Sequence, residues 1–189
     1  MKTALLASYE KDEALRRLGK LLIDNAWTLI GSAGTAKFLM DNSIPCRDVA
    51  EIVGAPILGH RVVPLSREIH GGLLAKDTPE DQAELDRLGI ARIDLVYGTL
   101  YPLEKTIADP KATPERILEE TDMGGPALLR SAAKGRRVVL SSPAQLDEFE
   151  QKLASGLDDA YLTKLAAAAE RRVADYVTAS AKYWESKVA

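Results

Sequence analysis

Cysteine, histidine and long apolar runs are what this chain has least of. One cysteine, Cys46, stands among 189 residues. That excludes an internal disulfide framework and a cysteine-built metal site within one chain, and Cys46 reads as a small residue near a surface loop. The two histidines, His60 and His70, have no ligand cluster beside them in sequence, so no metal-site signature is present, and neither a metal nor a cofactor is expected. No apolar run is long enough to span a membrane. The start, MKTALLASYEKDE, is apolar only briefly. Glu10, Lys11 and Asp12 interrupt it before a signal-peptide core is complete, so it reads as a first strand and the default location is the cytoplasm. Charge of one sign is scarce too: the formal net charge is −3, with no basic stripe, which argues against nucleic acid as a partner.

What remains is ordinary for a soluble globular protein, with 46% apolar and 28% charged residues. The length suits a single domain over 1–189 with a full core. Leu5 to Ser8 is a short apolar run of the kind that makes a buried parallel strand. Leu15, Leu18, Leu21 and Leu22 fall at helical spacing within Glu13 to Asn25. Trp27 to Ile30 reads as a strand and Thr35 to Asp41 as a helix, while Pro45 and Pro56 break the stretch between. Thr78-Pro79-Glu80 and Thr113-Pro114-Glu115 each start a helix, the first running to Leu88. Strands follow at Ile93 to Tyr97 and Arg137 to Leu140, Gly125 to Ala133 is a helix, and Ser142-Pro143 begins another. Leu157 to Lys187 is long, alanine-rich and helical. Strands alternating with helices predict an α/β domain with an open, mostly parallel sheet. Ligands of such sheets sit beyond the carboxyl ends of the strands, which draws attention to the loops after Ala7, Ile30, Tyr97 and Leu140.

Two stretches carry chemistry. Thr121 to Lys134 reads as an acid, Asp122, then the pair Gly124-Gly125, then a helix ending in Lys134. Adjacent glycines let a ligand approach the backbone, and a helix N-terminus accommodates an anion; the plain alternative is a loop before an ordinary helix. Gly31-Ser32-Ala33-Gly34-Thr35 lies between a strand and a helix and offers N–H groups and hydroxyls to a phosphate.

The string TDMGGPALLRSAAKG resembles the DIGGP-x-x-LRAAAKN segment of the IMP cyclohydrolase domain, the N-terminal half of the bifunctional enzyme that also carries AICAR transformylase. Further resemblances follow in order: Gly31 to Lys37 to STGGTAK, Ile69 to Ala75 to IHGGILA, Leu100 to Thr106 to LYPFEET, and Leu165 to Tyr176 to the family's C-terminal helix. The resemblance covers nearly the whole chain and implies a methylglyoxal synthase-like fold with no transformylase domain following. It implies that Lys11, Ser32, Gly34 and Thr35 hold a 5′-phosphate. It implies that Tyr101, Asp122 and Lys134 move protons while formyl-AICAR closes to IMP with loss of water. In that reading Lys134 pairs with Asp122, and the backbone N–H groups around Gly124 and Gly125 form an oxyanion hole. The plain alternatives are a core tyrosine and a surface ion pair.

The chain also departs from the family. Tyr9 replaces a serine and Asp12 a threonine of the SDKTG loop, and a carboxylate near a phosphate repels it unless turned away. Where the family has RVKTLHPKIHGG, this chain reads Arg61-Val62-Val63-Pro64-Leu65-Ser66-Arg67-Glu68-Ile69-His70-Gly71-Gly72. Val63 stands in place of a catalytic lysine, leaving Arg61, Arg67 or Lys134 to do its work. Thr99, Gly135 and Arg136 stand for an asparagine, an asparagine and a histidine. His70 is expected to serve loop structure and His60 to be solvated. Three readings stay open: a stand-alone IMP cyclohydrolase; a repurposed cyclase, dehydratase or hydrolase on a related ribonucleotide or heterocycle; and a non-catalytic nucleotide-sensing module. The expected partner is a purine nucleotide or analogue. Tyr161, Tyr176, Tyr183 and Trp184 lie along an apolar stripe from Leu153 to Trp184, which suits packing on the chain's own domain or a homodimer.

Overall fold

The alternation of short buried strands with amphipathic helices resolves, in a computed structural model, into a five-stranded sheet in the order β3-β2-β1-β4-β5, with every pair parallel. The structure describes residues 2–58 and 62–188. Along the chain come β1 (Thr3–Ser8), α1 (Glu13–Asp24), β2 (Thr28–Gly31), α2 (Ala33–Asp41), β3 (Arg47–Asp48) and α3 (Ala50–Val53). Then follow α4 (Arg67–Leu74), α5 (Pro79–Leu88), β4 (Leu95–Thr99), α6 (Leu103–Ala108) and α7 (Pro114–Glu119). Last are α8 (Gly124–Lys134), β5 (Val138–Leu140), a 3₁₀ turn at Pro143–Gln145, α9 (Leu146–Ser155) and α10 (Asp159–Glu185). The expected α/β class and parallel sheet are both present.

β1 is central, and Ala4, Leu5 and Leu6 are fully buried. A strand covered on both faces needs apolar residues at every position, which is why it shows a run and not an alternation. Ala7 and Gly98 are register partners on the face that meets α8, where Leu129 packs over Gly98. Leu6 and Gly31 are partners on the opposite face, where α2 comes close to Gly31. α10 lies outside α8 and β5 and reaches α6. Its stripe of Tyr161, Leu165, Ala169, Val173 and Tyr176 is buried on the chain's own domain.

The helix starts follow their caps. Thr78 and Thr113 accept from Asp81 N and Arg116 N, each with a proline at the first turn, and α5 stops at Gly89 in the left-handed region (φ 65°). Four elements are additional to those read from the sequence: β3, α3, α4 and α6. In α4, Ser66 caps the start by accepting from Ile69 N at 3.1 Å. The buried Arg137, expected to begin a strand, instead donates to the Leu73 carbonyl at 2.9 Å and also to the Ala75 carbonyl. A guanidinium there satisfies carbonyls that the end of α4 leaves unpaired. His70 therefore sits in a helix and not in a loop, bonded through Nδ1 to Ser131 Oγ at 2.8 Å, which ties α4 to α8. His60 lies outside the described residues. Cys46 is buried, not at the surface, and burial first, with Asp48 and Glu51 adding, pushes its thiol up to about 12.

Candidate active site

Sheet order decides where a ligand can go. From β1 the chain runs to β2 and β3 on one side, then crosses to β4 and β5 on the other. The loops leaving β1 and β4 therefore part company, and a crevice opens at their carboxyl ends. A cavity of about 430 Å³ lies there. It is lined by Ser8 at the end of β1 and Tyr9 and Lys11 after it, Ser32 and Gly34 after β2, Asp48 of β3, Thr99 at the end of β4 and Tyr101 after it, and Asp122, Gly124 and Gly125 before and within α8. Val63 and Pro64 form part of its wall. The loop after Leu140, expected at the same rim, is absent from the lining. Gln145 Oε1 accepts from Ser141 N and Ser142 N and closes that turn on itself.

One end of the cavity suits an anion. Ser32 precedes α2 and makes no side-chain cap there, so the first-turn N–H groups have no side chain covering them. Lys11 Nζ lies beside Gly34, where an added Cβ would be 3.8 Å away. The ammonium donates to the carbonyls of Ser8 and Tyr9, the latter at 3.1 Å. Burial lowers its pKa, a cost that a bound anion would offset. Thr35 differs from expectation. It is fully buried, and its hydroxyl accepts from Ser8 N (3.2 Å) and Ser32 Oγ (2.9 Å) and donates to Ser8 O (3.3 Å). With its hydroxyl so engaged, it shapes the loop instead of reaching a phosphate. Asp12 is turned away: its carboxylate caps α1 by accepting from Leu15 N at 2.9 Å, and it does not line the cavity.

The other end carries acid–base groups. Asp122 Oδ1 accepts from Gly125 N at 2.8 Å. Burial pushes its carboxyl above the usual carboxylate range, against the backbone N–H groups of Gly125, Tyr101 and Gly124, which pull it down. Gly125 has no room for a side chain: a Cβ would stand 2.6 Å from Leu100 Cδ2 and collide with Asp122 Oδ2. At Gly124 a Cβ would stand 2.8 Å from Pro64 Cδ. Both glycines thus permit a close approach. The Tyr101 phenol is raised by burial first, with the charges of Asp122, Glu120 and Tyr9 adding. Its ring meets that of Tyr9, with centroids 5.2 Å apart and planes at 55°.

Several expected roles are corrected. The Gly125 N–H and its neighbours serve the Asp122 carboxylate, so the glycine pair is not a vacant oxyanion hole. Lys134 does not pair with Asp122: it is exposed at the far end of α8, an 11-residue helix that places it about 15 Å from the cavity end. Arg67 is exposed, pairs with Glu68 at 3.2 Å and is not in the lining. Arg61 lies outside the described residues. Ser66 and Gly135 have structural work: Ser66 caps α4, and a Cβ on Gly135 would collide with the Leu73 carbonyl. Arg136 pairs with Asp159 and reaches Thr163 Oγ1 at 3.1 Å. Thr99 is the residue whose role sequence reading missed. Its hydroxyl bonds Ser8 Oγ and accepts from Tyr9 N, both at 2.8 Å, and so sets the path of the lysine-bearing loop. Asp48, also unforeseen, accepts from Ala50 N at 2.8 Å on the cavity wall. Among the described residues no group of three or more His, Cys, Asp or Glu could hold a metal ion, and no helix is long and apolar enough to cross a membrane.

Comparison with known proteins places these features in context. The family described as MGS-like domain matches residues 14–127. The bifunctional purine biosynthesis protein PurH of Prochlorococcus marinus (strain MIT 9211) is 39% identical over 97% of this chain and 36% of its own length. PurH of Thermosynechococcus vestitus is 43% identical over 79% of this chain and 30% of its own length. The chain thus spans about a third of these curated relatives. A solved structure, described as the crystal structure of ForH, superposes with a TM-score of 0.80 at 31% identity, covering 97% of this chain and 98% of that one.

Proposed function

The chain belongs to the MGS-like domain family, and from that premise we propose that it is a ring-closing enzyme of the IMP cyclohydrolase type, acting on formyl-AICAR. The 5′-phosphate sits between Lys11 and the first turn of α2, with Ser32 and Gly34 beside it. The heterocycle extends past the Tyr9–Tyr101 pair toward Asp122. The substrate carries both reacting groups, so holding them in register supplies much of the acceleration. As the carboxamide nitrogen bonds to the formyl carbon, its proton passes to Asp122 and the formyl oxygen takes a proton from the neutral Tyr101 phenol. The resulting hydroxyl then leaves with the hydrogen of the former formamide nitrogen, which releases one water and gives IMP, and the proton held by Asp122 returns to the Tyr101 phenolate, restoring both groups. A carboxyl lifted by burial is a stronger base than a solvated one.

The observation that carries this reading is the presence, in one cavity, of a lysine-backed helix N-terminus and a half-buried carboxyl whose pKa burial raises. Likeness to PurH over most of the chain supports it. The test is to follow IMP formation from formyl-AICAR with the purified chain and with Asp122→Asn. Turnover in the parent and its loss of at least about 100-fold in the variant are expected. A parent that binds IMP but makes none would overturn the reading.

A second reading is favoured by Val63 and Pro64 on the cavity wall and by the full-length likeness to ForH: a cyclase or dehydratase acting on a related ribonucleotide. It predicts that an analogue altered in the heterocycle, with the 5′-phosphate kept, binds better than AICAR.

A further inference from the structure

The two acid–base groups reach the cavity on separate loops, and neither loop is held by the sheet alone. Tyr101 lies just before α6, and Asp122 lies between α7 and α8. One turn of α10 meets both from behind. The Tyr176 hydroxyl accepts from Asp122 N at 2.7 Å and donates to the Glu120 carbonyl at 3.0 Å. Four residues earlier on the same face, Arg172 pairs with Glu104, in the first turn of α6, through Nη1–Oε1 and an Nη2–Oε2 contact at 3.4 Å. The guanidinium lies over the Tyr176 ring, 5.4 Å from its centroid, so the two grips support each other. Tyr176 is buried (1% exposed). Neither residue lines the cavity.

We propose that Arg172 and Tyr176 are positioning residues, a clamp through which α10 fixes the Asp122 loop and the Tyr101 loop relative to each other. The Tyr176 bonds fit this role better than general packing. They fall on the backbone of Asp122 and Glu120, so they set where the Asp122 side chain starts without touching its carboxylate. The clamp rests on the cyclohydrolase-type reading for its effect on rate, but its structural part stands on its own.

Tyr176→Phe keeps the ring and removes only the hydroxyl, so the buried packing survives. Arg172→Met removes the charge and keeps most of the stem. Hydrogen exchange at the Asp122 amide should quicken at least about tenfold in Tyr176→Phe, the size expected for an unmade bond at a partly buried donor, while amides of β1 and β4 stay unchanged. In formyl-AICAR turnover, kcat should fall about tenfold with KM within about threefold, because the phosphate end is untouched. The acidic limb of the kcat–pH profile should move, since the carboxyl's surroundings loosen. Arg172→Met should lower kcat in the same way, and Arg172→Lys should recover part of the loss. An Asp122 amide that stays protected in Tyr176→Phe, or one that is freed with kcat and its pH profile unchanged, overturns the clamp. A parent that never turns over formyl-AICAR sinks the functional reading, and the exchange measurement then decides the structural part by itself.

Discussion

Replacing Gly125 by alanine adds a single methyl group, and the structure says where it goes. The new Cβ would stand 2.6 Å from Leu100 Cδ2 and overlap Asp122 Oδ2. Leu100 is buried and has little room to retreat, so the carboxylate must swing out. That breaks the 2.8 Å bond from Gly125 N to Asp122 Oδ1 and leaves the start of α8 without its acceptor. A hydrogen bond to a charged group is worth about 1.5–3 kcal/mol. Against this, alanine is favoured over glycine within a helix by up to about 1 kcal/mol. The net is a loss of about 0.5–3 kcal/mol, or roughly 1–12 °C in Tm for a domain of this size. Turnover should suffer more, by about 100-fold, because a displacement of about 1 Å in a reacting group costs on that order. Gly71→Ala is the control: it lies within α4 with nothing closer to its Cβ than Ile90 Cδ1 at 3.8 Å, so it should gain up to about 1 kcal/mol. Thermal melts of both variants with an IMP-formation assay suffice. If Gly125→Ala melts no lower than the parent and keeps its turnover, the carboxylate is not held as described and the argument fails.

Asp122→Asn should separate stability from activity. Since burial raises the carboxyl in the folded chain, its contribution to stability is full below the unfolded value, near 3.9, and is lost as pH rises through the folded value. At pH 7 the asparagine variant should therefore melt no lower than the parent, and its advantage should vanish toward pH 4; a lower melt at pH 7 would contradict the burial argument. Lys11→Met should weaken IMP and AMP binding by at least about tenfold in calorimetry, as for a lost charge-assisted contact, and unchanged affinity would place the phosphate elsewhere. The buried Cys46 thiol, pushed up to about 12, should resist a thiol reagent at pH 8 until the chain unfolds; labelling of the native protein at the rate of a free thiol would refute that burial.

The sheet and most helices are legible in the sequence because their causes are local. Thr78-Pro79 and Thr113-Pro114 announce helix starts, and the run at Leu5 announces a buried strand. α4 was hidden because Gly71 and Gly72 lower helix propensity. Its helicity comes from outside, from the Ser66 cap and from Arg137, which binds its last carbonyls across 64 residues of sequence. β3 is two residues long and shows no period at all. At the candidate site, the glycine-containing loop before α2 and Asp122 follow from motif and order, whereas the partners of each side chain do not. Thr35 looks like a phosphate ligand in one dimension and turns inward in three. Asp12 looks repulsive and turns out to be a helix cap. The pairing of Asp122 with Lys134 fails on helix geometry, since residues at opposite ends of α8 cannot meet. Tyr176 left no signal, because its bond to Asp122 spans 54 residues.

The placing of β1 has a consequence for how the molecule is made. The earliest of the five strands in sequence, β1, is the middle strand of the finished sheet. It finds β2 early, with Thr3 beside Thr28. Its other edge stays open until β4 arrives, with Ala4 beside Leu95. At about 5–20 residues per second, that gap lasts on the order of 5–20 s. Throughout it, an apolar strand offers a full row of unpaired backbone groups to any neighbour that can pair with it. The nascent chain is therefore most at risk of aggregation between the synthesis of β2 and that of β4, and a chaperone that shields TALLAS until β4 appears would raise the yield of folded protein without touching the mature structure.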